Sequence, residues 1–133
     1  MSLISIYIGG VLTLAMALFH TRFYRLFKWQ AEYEKLSLAN QRIFYTIHVA
    51  LLLQFFLIGI VTLVYATELS DCQGLACGVN LVMALFWVWR FVWQLLYFKV
   101  KTGTKIPPIV YILDVWFFLL FVSYLVPVVV RFL

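Results

Sequence analysis

Residues 43–66 read IFYTIHVALLLQFFLIGIVTLVYA, and His48 and Gln54 are the only strongly polar side chains in the run. About 20 mostly apolar residues carry a helix across a hydrocarbon core of about 30 Å. This stretch is long enough, and it contains no Lys, Arg, Asp or Glu. Its apolar residues are continuous and do not alternate with period two, so it reads as a helix and not as a barrel strand.

Three more stretches of this kind flank it: roughly Leu3 to Phe19, Val79 to Phe98 and Ile109 to Val130. The third span carries Arg90 and Gln94, and the fourth carries Asp114. Composition agrees. Of 133 residues, 66% are hydrophobic, 20% aromatic and 11% charged, against about 25% charged in a soluble domain. A soluble globular enzyme, a disordered chain and a disulfide-framework mini-protein are all excluded. The net charge of +5 is small and sits beside spans, so nucleic acid is not an expected partner. The expected fold class is all-α: a polytopic membrane protein with one domain over residues 1–133, built as an up-down bundle of four transmembrane helices. The first span has no Lys or Arg before its apolar core and no small-residue cleavage pattern after it. It is expected to be a retained helix, not a cleaved signal.

Charge sets the orientation. Arg22, Arg25, Lys28, Lys35 and Arg42 lie between spans 1 and 2, and Lys99, Lys101 and Lys105 between spans 3 and 4. The other side holds only Arg131. The positive-inside rule places the two basic loops in the cytoplasm and both termini outside, in a cell (inner or plasma) membrane. Cys72 and Cys77 then fall in the outer loop, where an oxidising compartment permits a disulfide or leaves two free thiols. Their C-x4-C spacing is not that of a redox-active C-x-x-C pair.

Residues 20–42, HTRFYRLFKWQAEYEKLSLANQR, place Phe23, Leu26, Phe27, Tyr33 and Leu36 at three- and four-residue steps among basic residues. The pattern predicts an amphipathic helix lying along the cytoplasmic membrane surface, anchored by Trp29 and the tyrosines. Ser37 or Asn40 is the candidate cap of the helix that follows. In span 1, Ser5, Gly9, Thr13 and Ala17 recur every four residues, a small-residue ridge that lets another helix approach closely. Gly59 and Thr62 share a face with His48, Leu52 and Phe55 in span 2.

Ionisable groups inside spans are expensive, so each is a candidate functional residue. At a rise of about 1.5 Å per residue, His48, Gln94 and Asp114 lie about 8–9 Å from the midplane toward the cytoplasm, and Arg90 about 3 Å from it. His20 ends span 1 at the cytoplasmic boundary. Helical spacing gives Asn80, Met83, Trp87, Arg90, Gln94 and Tyr97 one stripe. Tyr111, Asp114, Phe118 and Phe121 form a second, and Gln41, Tyr45 and His48 a third. With these stripes inward, Arg90 and Asp114 pair, His48 and Gln94 complete a polar pocket, and His20 sits at its mouth. A buried Arg–Asp pair can equally serve only to fix helix register.

Two chemistries suit this set. His20 and His48 are candidate axial ligands for the iron of a b-type haem. Alternatively His48, Arg90 and Asp114 hydrogen-bond a quinone, with Trp87, Trp89, Trp93 and Tyr97 packed on its ring and tail. The expected function is a small integral subunit of a larger membrane complex, respiratory or photosynthetic, with lipid and other membrane subunits as partners. It is expected to carry electrons or hold a cofactor, not to catalyse. The alternative is a stand-alone transporter or membrane-embedded enzyme using the same pocket. Nucleotide loops, hydrolase elbows and metalloprotease motifs are absent.

Overall fold

A computed structural model describes residues 1–98 and 108–133. Among them the chain is helical throughout, with no strand. The elements are α1 (Ser2–His20), α2 (Phe23–Leu26), α3 (Trp29–Tyr33), α4 (Leu38–Val64), α5 (Ala66–Asp71), α6 (Leu75–Trp93) and α7 (Pro108–Phe132), with a π-helical turn at Gln94–Phe98 after α6. Four of these, α1, α4, α6 with its π turn, and α7, are long and apolar enough to cross a membrane. Lys99, Lys101 and Lys105 lie outside the described residues.

The helix starts show how local chemistry sets boundaries. α4 begins five residues before the expected Ile43 because the Ser37 hydroxyl accepts from the Asn40 backbone N–H at 3.3 Å. That is an N-cap, satisfying one of the donors a helix start leaves open. α6 begins at Leu75 rather than Val79, after a turn in which Cys72 and Gly74 both take positive φ, 48° and 54°. Cys72 and Cys77 are joined by a disulfide across this turn.

α1 lies at the centre, between α4 and α7, and α6 packs on the far side of α7. The small-residue ridge of α1 is the reason. A Cβ on Gly9 would lie 3.1 Å from the Ser123 Cβ, and one on Gly10 would lie 2.6 Å from Leu63 Cδ2. The two glycines thus bring two different helices into close approach. Gly59 does the same for α4 against Leu14. α4 and α6 meet mainly through rings, Phe55 stacking on Trp87 at 5.3 Å. A cleft of about 580 Å3 between them is lined by Gln54, Ile58, Val79 and Met83.

Polar groups tie the row together. The buried Tyr124 hydroxyl lies 3.2 Å from Thr13 Oγ1 and 2.9 Å from Thr62 Oγ1. Each threonine hydroxyl donates to its own helix, to Gly9 and Ile58 carbonyls at 2.7 and 2.8 Å. Both threonine oxygens are therefore left to accept, and the single phenolic proton is shared between α1 and α4. The Trp116 indole N–H donates to the Leu12 carbonyl at 3.1 Å. Interhelical hydrogen bonds in membrane proteins average about 0.6 kcal/mol each. Tyr124→Phe is therefore expected to cost about 1 kcal/mol, measured by unfolding in detergent, with the helix content unchanged.

The connector departs from expectation. The predicted single amphipathic helix is two short helices, broken at Lys28, whose φ is 52°. A left-handed residue ends one helical run and redirects the chain. The reversal lets Phe23, before the break, and Trp29, after it, both pack on histidines.

Candidate functional site

His20 is the last residue of α1, and the structure buries it to 7% exposure where the sequence suggested the mouth of a pocket. Its Nδ1 lies 2.9 Å from the Met16 carbonyl. A carbonyl only accepts, so Nδ1 carries the proton and Nε2 is the open nitrogen. His48, on α4, interacts with the backbone carbonyl of His20. The two imidazole centroids are 5.7 Å apart with ring planes 21° from parallel.

Aromatic rings enclose this pair. Phe23 stacks on His20 at 4.2 Å and lies 5.8 Å from His48. Trp29 meets His48 edge-on at 4.7 Å, and Phe55 meets His20 the same way at 5.1 Å. The result is a cleft of about 580 Å3, with both imidazoles, Phe23, Phe27, Trp29 and Phe44 among its walls. The sequence reading missed Phe23 and Trp29 as ring partners, because it laid the connector along the surface as one straight helix.

Arg90 joins the cluster from α6. Its Nη1 donates to Gln94 Oε1 at 2.9 Å, and its guanidinium lies 4.6 Å above the Phe117 ring. It interacts electrostatically with Asp114 of α7 on one side and with His20 on the other. The five candidate residues thus form a chain of neighbours, His48, His20, Arg90, then Gln94 and Asp114. Gln94 is bound to Arg90 and does not line the histidine cleft. Among the described residues no group of three His, Cys, Asp or Glu side chains is placed to hold a metal ion.

Of the four rings expected to wall the ligand, only Trp87 points inward, and none of them lines the histidine cleft. Trp87 is buried, stacked between Phe55 and Phe117 at 5.3 and 5.9 Å. Trp89, Trp93 and Tyr97 instead form a stacked ladder on the outer surface, with centroid spacings of 5.8 and 4.9 Å. Tyr97 leaves the inward stripe because the π turn from Gln94 changes the helical phase. On α7 the buried stripe is Leu113, Asp114, Phe117, Leu120 and Tyr124, so Tyr111 and Phe118 of the expected stripe face outward.

A second cleft, of about 910 Å3, adjoins the first across His48 and Tyr33, which line both. It takes Arg25 from α2 and Gln41, Arg42 and Tyr45 from α4. Comparison with known proteins finds no matching family model, no matching curated protein and no matching solved structure.

Proposed function

We propose that the four long helices cross a bilayer up and down, with both termini outside and the basic connectors in the cytoplasm. In this reading the chain is a small integral subunit of a membrane redox complex. It holds a quinone in the aromatic cleft beside His20 and His48. The observation that carries the reading is the imidazole pair, 5.7 Å apart, on the wall of an aromatic-lined cleft. A quinone is a flat ring with two carbonyl acceptors. Phe23 and Trp29 offer stacking and edge contacts for such a ring. Neutral Nε2 of His20 can accept from a quinol hydroxyl.

Partners are supported by Gln54. It is exposed near the middle of α4 and makes no hydrogen bond to another described residue. A carboxamide at that depth favours a hydrogen bond to a neighbouring helix. Co-purification of stoichiometric subunits in mild detergent is the expected result; a monodisperse single species would remove the subunit reading.

A haem is the second reading, favoured by one feature. The His20 imidazole donates to a backbone carbonyl, the outer-shell arrangement usual for a ligating histidine. A porphyrin between them would displace Phe23 from its 4.2 Å stack on His20, whereas a quinone in the open cleft would not. The absorption spectrum of the purified protein separates the two. A Soret band lost in His48→Ala would establish haem. For a quinone, titration of ubiquinone analogues followed by tryptophan fluorescence is expected to show saturable quenching. His20→Ala and His48→Ala each weaken it about tenfold, as loss of a strong hydrogen bond requires. Unchanged affinity in both variants would remove the quinone.

A further inference from the structure

The larger cleft has a chemistry of its own that the quinone reading does not use. Its polar end carries two guanidiniums, Arg25 and Arg42, together with Tyr24, Tyr33 and Tyr45. No carboxylate lines it, and neither guanidinium has a hydrogen bond or ion pair with a described group. The phenol of Tyr33 is held above its usual pKa by burial and by the neighbouring Tyr24 and Tyr45, so it remains a hydrogen-bond donor at neutral pH. The other end of the cleft is apolar. Val49 and Leu52 line it, also from α4, about 10–15 Å farther along that helix than Arg42.

A cationic donor cluster that runs into an apolar groove matches an amphiphile with an anionic head. Guanidinium forks fit phosphate oxygens in two-point contact, and phenol hydroxyls supply further donors. A basic segment beside a membrane span is also where anionic lipid headgroups concentrate. We infer that this cleft binds the phosphate headgroup of an anionic amphiphile through Arg25 and Arg42, with its hydrocarbon chain lying along Val49 and Leu52. The site adjoins the histidine cleft and shares Tyr33 and His48 with it, but its two arginines lie outside that cleft, so the lipid assignment does not depend on a quinone.

The test is isothermal titration of the purified full chain in a neutral detergent. The probes are short-chain phosphatidylglycerol, short-chain phosphatidylcholine and inorganic phosphate. Wild type is expected to bind phosphatidylglycerol saturably, and the other two at least about tenfold more weakly. Arg25→Gln with Arg42→Gln is expected to reduce phosphatidylglycerol affinity about tenfold or more. Arg25→Lys with Arg42→Lys keeps the charge but loses the fork, and should fall between. Arg22→Gln with Lys35→Gln removes equal charge from the same connector outside the cleft and should change affinity by less than about twofold. An equal loss in that control would mean diffuse charge attraction and overturn the site, as would no loss in the glutamine variant at an unchanged unfolding midpoint. Phosphate binding as tightly as the lipid would overturn the lipid assignment and leave a soluble phosphate compound as the ligand.

Discussion

Arg90→Leu is expected to destabilise the protein by about 3–5 kcal/mol, and Arg90→Leu combined with Asp114→Leu by much less. The asymmetry follows from where the charges sit. Asp114 is 7% exposed, on the α7 face that also buries Leu113, Phe117 and Leu120. The nearby guanidinium interacts with it electrostatically. Removing the arginine strands a buried carboxylate without its countercharge. Removing both charges leaves two apolar side chains of moderate size in a helix interface. The measurement is unfolding in mixed detergent for the four corners of the cycle. A coupling near zero would mean that the two charges are solvated independently. The same proteins separate register from chemistry. If the pair serves only to hold α6 against α7, the double variant binds the proposed quinone much as wild type does. If the cycle closes on stability but quinone affinity falls, Arg90 acts on the ligand through its electrostatic contact with His20.

The helix count was legible because continuous apolar length is a strong signal that no local chemistry disguises. The seam on α1 was legible for a related reason. Small residues every four positions have one structural use in an apolar helix, and Gly9, Thr13 and Ala17 are all buried. Asn80 on α6 and Gln94 at the start of the π turn were correctly placed inward because a polar side chain is costly on the outside of an apolar helix. Aromatic residues carry no such signal. A ring is as comfortable on the outer surface of an apolar helix as against another helix, so Tyr111 and Phe118 were assigned inward on spacing alone, Trp89 and Trp93 as packing partners of a ligand, and the structure places all four outward. The meeting of His20 with His48 was half visible, since both residues sit near the same end of adjacent antiparallel helices. The rings that enclose them were not visible. They depend on a backbone reversal at Lys28, and Lys is not a residue whose presence announces positive φ.

Gly59→Leu is expected to cost about 3 kcal/mol or more, and Gly59→Ala about 1–3 kcal/mol. An added Cβ at this position meets Leu14 Cδ2 at 2.6 Å, Leu14 Cγ at 2.7 Å and the Leu14 backbone nitrogen at 3.1 Å. The side-chain atoms can rotate away, but the backbone nitrogen cannot, so α1 and α4 must move apart. These two helices also carry His20 and His48, at the far end of the same interface. His48 lies about 16 Å along α4 from Gly59, at about 1.5 Å per residue. Prising the helices apart at Gly59 therefore changes the spacing of the imidazoles without touching either. Affinity for the proposed quinone should fall together with stability, although no atom near the cleft has been altered. Leu14→Ala in the Gly59→Ala background removes the two closest clashing atoms and should recover part of both losses. Gly78→Ala is the matched control: nothing lies within 4 Å of a Cβ there, so it should leave both unchanged. If Gly59→Leu lowers stability but leaves the quinone affinity intact, the histidine cleft is positioned by the connector and not by the α1–α4 crossing. Phe23 and Trp29 would then become the residues that hold the two rings in place.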